Sequence, residues 1–236
     1  MEFDFVIVGA GSAGCALACR LSENGKYRVA LVEAGGRDWS PWIHIPVGYF
    51  KTMGNPKMDW SYKTEPDPGL NGRSINWPRG RVLGGSSSIN GLLYVRGQKE
   101  DYEQWRQLGN DGWGWDDVLP CFKRSESWEG GTSNLRGGDG PLSVSSTRLS
   151  RGAVDRYVEA AQSAGYPYNE DYNGESQEGV GYFQLTASKG QRCSAAKAYI
   201  TPNRNRENLT ILTGLVTKKV LIEDGHAVGI VADGGN

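Results

Sequence analysis

The chain has 236 residues, 34 of them Gly, about twice ordinary usage, with no three-residue glycine period and only 10 Pro. Collagen-like and disordered classes are thereby excluded, and the length suffices for one large domain or two small ones with a buried core. Twenty-six basic against 27 acidic residues leave a net charge of −1, so nothing electrostatic points to nucleic acid or an anionic membrane surface.

The first 35 residues read as strand, tight turn, helix, strand. Phe5 to Val8 is a β-branched run without alternation, which predicts a strand buried on both faces. Small and apolar residues from Ala13 to Leu21 predict a helix stopped by Asn24-Gly25, and Val29 to Val32 a second buried strand. The apolar N-terminal run is preceded by Glu2 and Asp4 rather than by basic residues, and it is too short to span a bilayer. The expectation is a chain without a membrane span, and a cytoplasmic setting.

Residues 36–80 hold Trp, Pro, Gly and polar residues without a clear period and predict an irregular excursion. A Gly/Ser turn at 84–88 follows, with helices expected at about 89–95, 98–108 and 116–126. The Gly-, Ser- and Thr-rich stretch 130–149 reads as a loop or boundary. Ser150 is placed to N-cap a helix whose apolar positions Val154, Tyr157, Val158 and Ala161 recur at helical spacing, with Gly165 as its stop. Strands are predicted near 182–187, 209–212, 215–222 and 226–232, with Asp224-Gly225 turning the last hairpin. Cys15, Cys19, Cys121 and Cys193 form no Cys-x-x-Cys pair and read as reduced thiols. His44 and His226 are too few for a His-rich metal site, so no metal is expected.

Gly9-Ala10-Gly11-Ser12-Ala13-Gly14 is Gly-x-Gly-x-x-Gly placed directly after a strand and opening a helix. Such glycines serve a tight turn, backbone approach to a pyrophosphate, and helix–strand packing. The helix N-terminus then offers unpaired N–H groups to the phosphates. Glu33 ends the second strand 19 residues beyond Gly14, where a carboxylate accepts ribose hydroxyls and repels a 2′-phosphate. Dinucleotide binding follows, with NADP disfavoured; FAD and NAD are not separated by this turn. Short-chain dehydrogenases are excluded, because position 13 is Ala and no Tyr has Lys four residues later. A serine hydrolase is disfavoured too, since no Gly-x-Ser-x-Gly surrounds Ser86, Ser87 and Ser88. On spacing alone, that serine run reads as a helix N-cap at Ser86 or Ser88.

The segment GRVLGGSSSINGLLYVRGQKEDYEQW at 80–105 is more specific. It resembles the first signature of the glucose–methanol–choline (GMC) family of flavin-dependent oxidoreductases. GAGSAG, Glu33-Ala34-Gly35-Gly36, DWSY at 59–62 and GWGWDDVLPCFKRSE at 112–126 resemble the same family, nearest its choline- and alcohol-dehydrogenase-like branch. The resemblance implies FAD, and a fold of the α/β class: a Rossmann-like FAD-binding domain of parallel sheet plus β-meander, with an incomplete second α+β substrate domain. The expected division is 1–149 for FAD binding, 150–190 for part of the substrate domain, and 191–236 for a return to the first.

Carried over residue by residue, the resemblance assigns Gly9, Gly11, Ser12 and Ala13, with Gly14 behind them, to the ADP phosphates. Glu33, followed by Ala34, is assigned to the adenosine ribose. Leu83, Gly84, Gly85 and Ser88 fall beside the pyrophosphate, and Asn90, Gly91 and Leu92 along the isoalloxazine. Val216 is the expected backbone contact to adenine. Ile89 occupies the position at which some members join FAD covalently through a His, so FAD is expected to be non-covalent. The implied reaction is oxidation of a small-molecule alcohol by hydride transfer to flavin N5, with a quinone, a dye or oxygen as electron acceptor. The family's His base and second signature are not found, so the family's C-terminal half is expected to be absent. The alternatives are a non-catalytic FAD-binding fragment completed by a second chain, or another reaction on the same scaffold: oxidase, lyase or photodecarboxylase.

Overall fold

A computed structural model describes residues 1–148 and 151–234. The chain divides into two compact units, Met1–Gly91 with Gly190–Asn236, and Leu92–Lys189. Within the second unit, Leu93, Tyr94 and Ser145 pair with Gln184 and Leu185.

The first unit is built on a three-stranded parallel sheet in which Val29–Glu33 lies between Phe5–Val8 and Leu209–Thr213. The central strand, VALVE, is buried at all five positions. Phe5–Val8 departs from the expected double burial: Phe5, Val6 and Val8 are 38%, 39% and 52% exposed. Among the described residues it occupies a sheet edge, with a strand neighbour on one side only. Helix Ser12–Leu21 connects the first two strands, and its buried stripe of Gly14, Cys15, Ala18 and Cys19 is made of small residues, which lets the helix lie close. Burial pushes the Cys15 thiol up to about 12, and the neutral S–H donates to the Ala10 carbonyl at 3.2 Å.

The 36–80 excursion is irregular as expected: two four-residue helices, Pro41–His44 and Tyr49–Thr52, then short paired strands Tyr62–Lys63 and Asn76–Trp77. Of the β-rich C-terminal stretch, Leu209–Thr213 adds parallel to the sheet. Leu215–Glu223 and His226–Gly234 form an antiparallel hairpin, turned by Asp224 and Gly225 at φ 48° and 78°.

In the second unit, helices Lys99–Gln107 and Trp115–Ser125 stand where the sequence places them. Each is capped by an Asp three residues in: Asp101 accepts from the Gln98 N–H and Asp117 from the Gly114 N–H. Tyr102 packs its ring against Trp105, Trp115 and Phe122. The helix expected at 89–95 does not form. Leu92 takes a left-handed φ of 67°, and Leu93–Tyr94 pairs antiparallel with Gln184–Leu185 instead. Helix Gly152–Ser163 forms at the predicted place, but of its expected apolar stripe Val158 is buried while Val154 and Tyr157 are exposed; Ser150, its proposed cap, lies outside the described residues. Among the described residues no helix is long and apolar enough to cross a membrane.

Candidate functional site: two glycine turns around a cavity

The first strand ends at Val8, and Gly9 turns the chain at φ +91°, a backbone state costly for any residue with a Cβ. Its N–H donates to the Val32 carbonyl at 2.7 Å, which ties the turn to the central strand. Helix Ser12–Leu21 then begins, with no side chain capping its N-terminus. Its first-turn N–H groups have no intrahelical acceptors and lie open for an anion. Gly14 serves a different end: a Cβ there would collide with the Gly9 carbonyl, so this glycine allows helix and turn to touch.

A second glycine turn is pressed against the first. Gly84 and Gly85 have φ of 92° and 56°, and the Gly84 N–H donates to the Ala10 carbonyl at 2.7 Å. A Cβ on Gly85 would stand 2.7 Å from the Gly11 Cα. The serines after it do not cap a helix by their side chains. Ser86 Oγ accepts from the Gly80 N–H, while the Ser87 and Ser88 hydroxyls donate to the carbonyls of Gly84 and Leu83.

Glu33 joins the two turns to the sheet. Its carboxylate accepts from the Ala10 N–H at 2.8 Å and the Gly35 N–H at 2.9 Å, and the residue is 5% exposed. Burial pushes its carboxyl above the usual range, and those backbone donors and the Arg81 charge oppose the shift. Two hydrogen bonds leave further carboxylate lone pairs for a ligand.

A cavity of about 560 Å³ opens over this arrangement and brings together Gly9, Gly11, Ser12, Glu33, Ala34, Gly85 and Val216 of the predicted residues. Ala13 lies exposed in the helix's first turn, and Gly14, Leu83, Gly84 and Ser88 are buried behind the turns. Asn90 and Gly91 lie outside this cavity, with Asn90 Oδ1 accepting from Arg192 at 2.6 Å. Leu92 belongs to the other compact unit. His44 and His226 do not line the cavity; His44 Nε2 meets the Asp38 carbonyl at 2.8 Å, and His226 is exposed.

The lining also holds residues not assigned to the site in the sequence, among them Trp60, Tyr62, Arg79 and Thr217. Buried Asp59 accepts from the N–H groups of Gly54, Ser61 and Arg79, and thereby fixes the segment that carries Trp60 and Tyr62. The Trp60 and Tyr62 rings lie nearly parallel, with centroids 5.9 Å apart. DWSY is the one signal that could have found them. Thr217 Oγ1 is buried with no partner among the described residues, a polar atom at the cavity awaiting one.

A β–α–β unit with glycine turns at a helix N-terminus, and a carboxylate ending the second strand, defines a dinucleotide-binding protein of the Rossmann type. The chain belongs to the GMC oxidoreductase family, whose model matches residues 3–236. It is 47% identical over 235 residues to an oxygen-dependent choline dehydrogenase of Rhizobium etli (strain CIAT 652), covering 100% of this chain and 43% of that protein. A relative of the same description from Photobacterium profundum is 46% identical, over 99% of this chain and 41% of its own. Among solved structures, pyridoxine 4-oxidase from Mesorbium loti matches with a TM-score of 0.92 and 35% identity, covering 99% of this chain and 48% of that one. Formate oxidase from Aspergillus oryzae matches with a TM-score of 0.85 and 31% identity, covering 98% and 42%. The chain thus spans less than half the length of the relatives it matches.

The residues fit FAD, the cofactor this family implies. Open space stands where a Cβ on Gly9 or Gly11 would be, uncapped N–H groups sit beside it, and an unpartnered hydroxyl and a buried carboxylate line the same cavity.

Proposed function

We propose that this chain is the FAD-binding part of an enzyme that oxidises a small-molecule alcohol. The observation that carries the reading is the cavity in which the two glycine turns, Glu33 and Val216 converge. The N–H groups of Ser12 and Ala13 receive the pyrophosphate with the backbone of Gly9, Gly11 and Gly85, while Gly84 supports them from behind with its N–H on the Ala10 carbonyl. Glu33 accepts from the adenosine ribose, Val216 borders the adenine, and Asn90 and Gly91 line the isoalloxazine. When bound, FAD supplies a hydride acceptor at N5. The alcohol proton is assigned to no residue of this chain, because neither histidine lines the cavity.

The cofactor is held without a covalent bond. Ile89 is 1% exposed and packs with Ile43 and Val82, and its hydrocarbon side chain offers no atom able to join the flavin. Denaturation and filtration therefore release all flavin into the filtrate. The test of function is an absorbance scan of the purified protein. Flavin bands that bleach anaerobically with choline or another primary alcohol support the reading. Re-oxidation by air, or only by an added quinone or dye, then identifies the acceptor. Flavin bands that never bleach favour a non-catalytic FAD-binding fragment, and absence of flavin sinks the proposal.

Glu33→Ala is expected to raise the Kd for FAD about tenfold to a hundredfold, since hydrogen bonds to a charged group contribute about 1.5–3 kcal/mol. Part of that loss comes from the Ala10 N–H, which the same carboxylate holds in the turn. Fluorescence titration measures it; an unchanged Kd would remove Glu33 from the site.

A further inference from the structure

Arg192 is 2% exposed and meets no carboxylate within ion-pair distance among the described residues. Its neighbours are neutral acceptors in the first compact unit: Nε donates to the Ile43 carbonyl at 2.7 Å, and Nη1 to the Ser87 carbonyl at 3.1 Å and Asn90 Oδ1 at 2.6 Å. Nη2 is buried with no partner among the described residues. A guanidinium removed from water without a counter-ion is costly, and here burial alone pushes its pKa down to about 10. Three carbonyl dipoles offset only part of that cost. Three residues on, the Ala195 N–H donates to Ser87 Oγ at 2.9 Å, so the 192–195 segment grips the Gly84–Asn90 turn from behind at two points.

A charge kept in such a place calls for an electron-rich partner, and the turn it grips is the one assigned above to the pyrophosphate and isoalloxazine. We propose that Arg192 is a positioning residue of the flavin site, fixing Ser87 and Asn90 and supplying a buried positive charge that favours the reduced cofactor. This inference rests on the FAD reading. Reduction by two electrons and one proton gives the flavin one net negative charge, which a nearby buried cation stabilises more strongly than it would in water.

The experiment uses FAD-loaded protein and a two-electron reference dye, reduced together by xanthine and catalytic xanthine oxidase, with FAD affinity measured in parallel. In Arg192→Met the equilibrium constant for electron transfer from dye to flavin is expected to fall about tenfold, or about 30 mV for a two-electron couple. Arg192→Lys keeps the charge and loses the fork, so its constant stays within about threefold of wild type while FAD binding weakens. If Arg192→Met fails to fold, Arg192→Gln, neutral but still a donor, carries the same expected fall. A purely structural role would lower the melting temperature and leave the dye equilibrium of flavin-loaded variants unchanged, which overturns the inference. A Lys variant shifted as far as the neutral ones overturns it too. Wild-type protein that takes up no flavin overturns the cofactor reading itself, an outcome distinct from both.

Discussion

Gly11→Val is expected to abolish FAD uptake while leaving the fold intact, with the Kd rising at least about a hundredfold, or about 2.7 kcal/mol. Gly11 has φ −79° and ψ −162°, extended backbone that valine adopts without strain. A Cβ at this position meets no atom within 4 Å, so the side chain starts into open space. That space is the cavity beside the helix N-terminus, and the methyl groups occupy volume the pyrophosphate needs. Gly14→Ala serves as the contrast. Its methyl would strike the Gly9 carbonyl oxygen, so it costs stability before it affects binding. Fluorescence titration with FAD, alongside thermal melts by circular dichroism, separates the two effects. A Gly11→Val protein that purifies yellow would show that the ligand lies elsewhere.

The glycine turn was legible because every local rule agrees there: a buried strand, glycines at fixed offsets, a helix of small residues and an acid ending the next strand. Neighbours in sequence are neighbours in space across those residues. Where partners lie far apart, the pattern is blind. Residues 89–95 read as a helix from an apolar run, but Leu93 and Tyr94 are claimed by Leu185 and Gln184, about ninety residues downstream. Arg192 gave no signal at all, since its acceptors lie 149, 105 and 102 residues away in sequence. The exposure of Phe5–Val8 was equally hidden. An unalternating apolar run reports β propensity, while burial depends on which strands and layers flank it. Glu33 was placed correctly at the end of its strand, but its hold on the Ala10 and Gly35 N–H groups is a fact of three dimensions.

Glu126→Ala is expected to destabilise the second unit by about 3–5 kcal/mol, because it leaves the buried Arg96 guanidinium without a carboxylate and the buried Arg136 with Asp171 alone. Glu126 is 0% exposed, and the side chains of Arg96 and Arg136 are each 3% exposed. Its carboxylate accepts from Arg96 Nη2 at 2.6 Å, from Arg136 Nη2 at 2.7 Å, and from the Gly137 N–H at 2.8 Å. Asp171 holds the other side of Arg136 at 2.7 Å but is one-third exposed, so Asp171→Asn should cost distinctly less. Chemical denaturation measures the loss, and hydrogen exchange should confine it to residues 92–189. Two origins are distinguishable. If the loss is the desolvation of unpaired cations, the triple variant Arg96→Met, Glu126→Leu, Arg136→Met recovers most of it, since all three charges leave together. If it is lost attraction within a well-formed network, the triple variant stays as unstable as Glu126→Ala. The stacking of Arg136 on Trp128 at 4.4 Å and of Arg96 on Phe122 at 5.3 Å favours the first outcome, because Met can replace that contact with the rings without carrying a charge.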